Sequence, residues 1–132
     1  MGQVWPIIQV VGFEPDSHEC NRRNESALSL PYKAKFLPYA LGRTNAGAVK
    51  FYVCRKPGCS SIYEPNLRFV QNFPAGLLME VESVGTVDTV LLSDIVAKEN
   101  LQPDVMKIDV QGAELDVLLG GRNCCQALSL SS

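Results

Sequence analysis

Ile7-Ile8-Gln9-Val10-Val11-Gly12-Phe13-Glu14-Pro15-Asp16 is the stretch on which the fold turns. Its first seven residues form a short, nearly continuous apolar run, as expected of a strand buried on both faces of a parallel sheet. The run stops abruptly at Glu14-Pro15-Asp16. Asp16 followed three residues later by Glu19 is a helix start of the capping-box kind. The helix is expected to reach about residue 28, with Cys20, Ala27 and Leu28 facing inward and Arg22 and Arg23 in water. Pro31 prevents it from continuing.

Further along, Lys35-Phe36-Leu37-Pro38-Tyr39-Ala40-Leu41 reads as a second strand ending at Gly42. Residues 43–47 form a turn, and beyond it Val49, Phe51 and Val53 alternate with Lys50 and Tyr52, the period of a half-exposed strand. Together these predict a local antiparallel excursion from the main sheet. Residues 56–61 are a loop, 64–73 a short helix stopped by Pro74, 77–90 an extended stretch and 93–100 a modest helix. Asp104-Val105-Met106-Lys107-Ile108-Asp109-Val110 is another short apolar run, interrupted by two charges. After the turn Gln111-Gly112-Ala113, residues 114–119 form a helix with Leu115, Leu118 and Leu119 as its apolar face, closed by Gly120-Gly121. The tail from Asn123 has no pattern. Strands alternating with helices in this way predict an α/β fold with parallel strands and right-handed crossovers.

The chain has 132 residues, one domain's worth, with 46% hydrophobic and 20% charged residues. A net charge of -2 gives no reason to expect nucleic acid or an anionic membrane as a partner. No apolar run approaches the roughly 20 residues that span a bilayer. The first six residues lack the basic-then-apolar pattern of a signal peptide, so a cytoplasmic protein is expected. The five cysteines are odd in number and follow no disulfide or zinc spacing, and His18 is the single histidine. Ordinary reduced thiols and no metal site are expected.

Ligands of parallel α/β sheets bind at the carboxyl ends of the strands. That rule selects Glu14, the Ala40-Leu41 segment and Asp109. An acid at the tip of a buried strand can accept both hydrogen bonds from a ribose diol. Facing solvent or helping to cap the next helix is an equally good reading of Glu14. Asp16 is better explained as the helix cap. Lys107 and Asp109 share a face of a strand that otherwise wants burial, so they pair with each other or Asp109 meets a ligand. Glu114 suits the helix dipole. Ser60 and Ser61 lie in a loop of ordinary composition that is able to reach over a site.

Four blocks carry a resemblance: Val11-Gly12-Phe13-Glu14-Pro15-Asp16, residues 36–42, Gly58-Cys59-Ser60-Ser61-Ile62-Tyr63-Glu64-Pro65-Asn66, and Lys107-Ile108-Asp109-Val110-Gln111-Gly112-Ala113-Glu114. In this order they resemble FkbM-family methyltransferases over about residues 7–121, within a single partial domain spanning 1–132, with 122–132 a divergent tail. The resemblance implies a Rossmann-like methyltransferase sheet that uses S-adenosyl-L-methionine, usually to methylate an oxygen of a sugar or small metabolite. It implies that Glu14 binds the cofactor ribose, that Phe13 and Pro15 flank it, and that Ala40 and Leu41 line the adenine pocket. Asp109 would lie near the methyl-bearing end and the acceptor, as the candidate base.

The family's glycine-rich turn before the first quoted strand has no counterpart in the six residues ahead of Ile7, nor are the strands after the Asp109 helix present. The chain is therefore expected to be a fragment truncated at both ends and catalytically incomplete, with exposed sheet edges that favour a homo-oligomer. A different adenine-nucleotide-binding domain and a non-catalytic remnant are the competing readings.

Overall fold

A computed structural model describes residues 7–125. The chain divides into two compact units, one within Met1–Ala40 and one within Leu41–Ser132.

In the first unit, strand β1 (Gln9–Phe13) pairs in parallel with β2 (Lys33–Leu37), and helix α1 (Ser17–Ala27) connects them. This is the strand, helix and parallel strand that the opening stretch predicts. Asp16 is the N-cap, its Oδ1 accepting the Glu19 amide at 2.7 Å, so the expected cap forms. The reciprocal half of a capping box does not, because the Asp16 amide donates to Glu14 Oε1 and the Glu19 carboxylate turns to Arg22 and Arg23. Cys20 and Ala27 are buried as expected, but Leu28 is 88% exposed because the helix has already ended. β1 is also less buried than expected: Gln9 and Val10 are exposed and the rest half-buried. A sheet of two strands leaves much of each uncovered.

The expected strand over 35–41 is two pieces. β2 ends at Leu37, and after Pro38-Tyr39 the dipeptide β3 (Ala40–Leu41) belongs to a different, three-stranded sheet of order β3-β5-β4. Proline lacks the N–H that a continuous ladder requires. In the second unit β4 (Ala46–Cys54) pairs antiparallel with β5 (Val81–Val90). The antiparallel excursion is present, but the partner of the Val49, Phe51, Val53 strand is β5 rather than the segment immediately before it. A bulge between Ala46 and Val49 places Ala48 at φ 55°, where its amide finds Asp88 Oδ1 at 3.1 Å.

The helix expected over 64–73 is one turn, α2 (Leu67–Val70), capped by Asn66. Helix α3 (Leu92–Lys98) buries Leu92 and Ile95. The strand expected over 104–110 does not form: the segment joins no ladder, although Met106, Ile108 and Val110 are half-buried while Lys107 and Asp109 are exposed. The alternation of a strand is present without its hydrogen-bonded neighbour.

Helix α4 (Glu114–Gly120) follows as expected, with a different face inward. Leu115 and Leu118 are exposed, and Ala113, Asp116, Val117 and Gly120 are buried. These fall at i, i+3, i+4 and i+7, one helical stripe. It is a stripe of small residues and one acid, which a search for leucines passes over. The first residues of the expected tail form a short helix, α5 (Arg122–Cys125), and the remainder lies outside the described residues.

Candidate functional site

The Glu14 tip is built outward from Gly12. In the β1–β2 register Gly12 sits opposite Phe36, and a Cβ on Gly12 would lie 2.5 Å from the Phe36 ring carbons. Glycine is what lets the ring cross the strand. The Arg23 guanidinium, from the middle of α1, lies 5.7 Å from the centre of the same ring. Its Nε is 3.4 Å from Glu14 Oε2 and 3.1 Å from Glu19 Oε1. Arg22 also holds Glu19, through Nε to Oε2 at 2.7 Å and Nη2 to Oε1 at 2.6 Å. The result is a ladder of alternating charge, Arg22, Glu19, Arg23, Glu14.

Glu14 itself is anchored by its amide, which donates to the Leu37 carbonyl at 3.0 Å, and by its Oε1, which accepts the Asp16 amide at 3.2 Å. Burial pushes its carboxyl above the ordinary carboxylate range, while the Asp16 amide and Arg23 pull the other way. Phe13 and Pro15, its expected flanks, are half-buried beside it. Asn24 adds a connection that the sequence did not suggest. Its side chain donates to the Phe36 carbonyl at 2.9 Å and accepts the Phe36 amide at 2.7 Å, replacing a missing strand partner.

Ala40 is buried and closes the first unit; Leu41, half-buried, opens the second. Asp109 lies in the second unit, exposed, with Oδ2 4.0 Å from Lys107 Nζ and Oδ1 accepting the Gln111 side-chain amide at 3.1 Å. The pairing of Lys107 with Asp109 expected from their shared face is therefore present. At this exposure such a pair stabilises little.

The better-held acid of this unit is Asp116, which sequence reasoning missed. Its Oδ1 is 3.0 Å from both Nε and Nη2 of Arg43, and its Oδ2 accepts a short hydrogen bond from the Tyr63 hydroxyl. That bond raises the Tyr63 phenol above its usual range. Two residues before Tyr63, the buried Ser61 donates its hydroxyl to the Gln111 carbonyl at 2.9 Å and accepts the Tyr63 amide at 3.1 Å. Ser61 and Tyr63 thus fasten the loop after β4 to the Gln111-Gly112 turn and to the helix that follows it. The signal was available: an acid three residues into a helix whose other inward positions are small.

Among the described residues no group of three or more His, Cys, Asp or Glu is placed to hold a metal ion, and no helix is long and apolar enough to cross a membrane. Comparison with known proteins gives a match of residues 3–127 to the family described as the methyltransferase FkbM domain. The chain belongs to the FkbM methyltransferase family. It is also similar to Methyltransferase 1 of Beauveria bassiana (strain ARSEF 2860), at 36% identity over 87 residues, covering 61% of this chain and 35% of that protein. The chain thus spans about a third of the length of this relative. No solved structure matches it. FkbM membership implies a methyl donor, and the four blocks quoted from the sequence lie inside the matched region.

Proposed function

We propose that the chain carries the ribose-binding part of an S-adenosylmethionine-dependent methyltransferase of Rossmann-like architecture, acting in the cytoplasm on an oxygen of a sugar or other small metabolite. The observation that carries the reading is the half-buried Glu14, fixed at the carboxyl end of a parallel strand just ahead of a helix. Its chemistry fits a ribose. An ionised carboxylate has about four acceptor positions; the Asp16 amide takes one on Oε1 and Arg23 stands 3.4 Å from Oε2 as an ion-pair partner, leaving capacity for the two hydroxyls of a vicinal diol.

S-adenosylmethionine, when bound, supplies a methyl carbon made electrophilic by its sulfonium. The chain's own residues bind and orient. Glu14 accepts from the ribose hydroxyls, Phe13 and Pro15 flank it, and Ala40 and Leu41 line the adenine side. Asp109 is assigned to the acceptor, taking the proton of the attacking hydroxyl, for which its exposed carboxylate is accessible. In such a displacement alignment of the reactants supplies much of the acceleration.

Titration of the 132-residue chain with S-adenosylhomocysteine, followed by nuclear magnetic resonance, tests the reading. The resonances of residues 13–15 are expected to shift with a Kd of about 1 mM, and Glu14→Gln is expected to abolish the effect. Micromolar binding of NAD in the same assay would overturn the methyltransferase reading.

A further inference from the structure

We infer that Arg23 is a positioning residue for this site: its guanidinium, seated on the Phe36 ring, orients the Glu14 carboxylate for a vicinal diol. The inference rests on the ribose reading of Glu14 and adds to it a residue outside the four blocks that carry the family resemblance. Three observations support it. The guanidinium lies over Phe36 at 5.7 Å, and Phe36 in turn occupies space that Gly12 leaves open. A cation held over a ring face has fewer orientations to lose than a free one. Arg23 Nε donates to Glu19 Oε1 and lies 3.4 Å from Glu14 Oε2 as an ion-pair partner, beside the oxygen opposite the one that the Asp16 amide holds. Glu19, which competes for Arg23 at 3.1 Å, is itself engaged by Arg22 through two hydrogen bonds, so its charge is shared.

The surroundings of Glu14 make such a residue necessary. Asp16, Glu19 and Cys20 approach it from α1 and its cap, and Arg23 is the cation among these neighbours. From β2 the Leu37 carbonyl accepts its amide. Burial and the two acids favour the protonated carboxyl, which has a single remaining acceptor-rich oxygen and holds a diol poorly. Arg23 and the Asp16 amide favour the ionised form.

The test compares wild type with Arg23→Gln and Arg23→Lys by two measurements. The first is the carbon-13 titration of the Glu14 carboxyl; the second is S-adenosylhomocysteine affinity between pH 5 and 8. In Arg23→Gln the Glu14 midpoint should move upward, and the loss of affinity relative to wild type should be largest at pH 5 and shrink toward pH 8. Arg23→Lys, which keeps the charge without the guanidinium, should lie between. An unmoved Glu14 midpoint in Arg23→Gln, with the amide spectrum showing an intact fold, overturns the inference. Failure of the wild type to bind S-adenosylhomocysteine overturns the ribose reading alone, and the carboxyl titration then decides whether Arg23 governs Glu14.

Discussion

Two acid-bearing segments, Glu14 after β1 and Asp109 before α4, look alike in sequence: each acid stands at or near the end of an apolar run and precedes a helix. In the structure they are opposites. The first is a paired strand whose acid is half-buried and held through its amide, an Asp16 amide and an ion pair with Arg23. The second is an extended segment without a ladder, whose acid is exposed beside Lys107. Around that segment the order comes from Asp116, Tyr63 and Ser61 instead. The contrast separates two jobs that sequence position alone merges, offering a carboxylate to a ligand and holding a loop in place.

The largest effect expected from this contrast is on stability. Asp116→Ala removes the acceptor of Arg43 and Tyr63 and should cost about 2–3 kcal/mol, whereas Asp109→Ala should stay within about 0.5 kcal/mol. Urea unfolding followed by circular dichroism measures both, and equal losses would erase the distinction. Next in size is Gly12→Ala, which drives a methyl into the Phe36 ring. It should destabilise by about 1–2 kcal/mol and disturb the Arg23 stack, seen as a change in the Phe36 ring resonances. Retention of the wild-type ring shifts would show that the close approach does not set the stack.

Smallest are the pH effects, whose signs are opposed. Glu14 is raised above its ordinary value of 4.5, so its folded form holds the proton more tightly than the unfolded chain. That contribution is full below the ordinary range and is lost as pH rises through the raised midpoint. Glu19 is lowered to about 2, first by its hydrogen bond from Arg22, so its support is present above 4.5 and lost as pH falls toward 2. Glu14→Gln should abolish the first slope and leave the second, read from unfolding midpoints between pH 2 and 8.

The first unit was largely legible because its determinants are local. An apolar run, a cap three residues from its acid and a proline stop act within a few residues of one another. What the sequence did not reveal there is sideways: Asn24 bridging to Phe36, and Arg23, exposed as expected, also lying 5.7 Å from the centre of the Phe36 ring. The second unit was less legible because its order is non-local. Arg43 and Asp116 are 73 residues apart, and Ser61 and Gln111 are 50 apart. Hydrophobicity also misled at α4, where Val117 is buried among small residues while Leu115 and Leu118 face outward. The strand expected over 104–110 kept its alternation and lacked a neighbour, which no reading of that segment by itself could supply.

The turn at Gln111 and Gly112 carries a consequence for substitution. Gln111 has φ 52° and Gly112 φ 96°, and nothing lies within 4 Å of where a Cβ on Gly112 would stand. Space is therefore not what position 112 demands; backbone handedness is. A Cβ there would meet no neighbour, and an L-residue would still be refused by its own main chain. The glycine in Lys-Ile-Asp-Val-Gln-Gly-Ala-Glu thus encodes the direction in which the chain turns into α4, a mark of chirality rather than of contact.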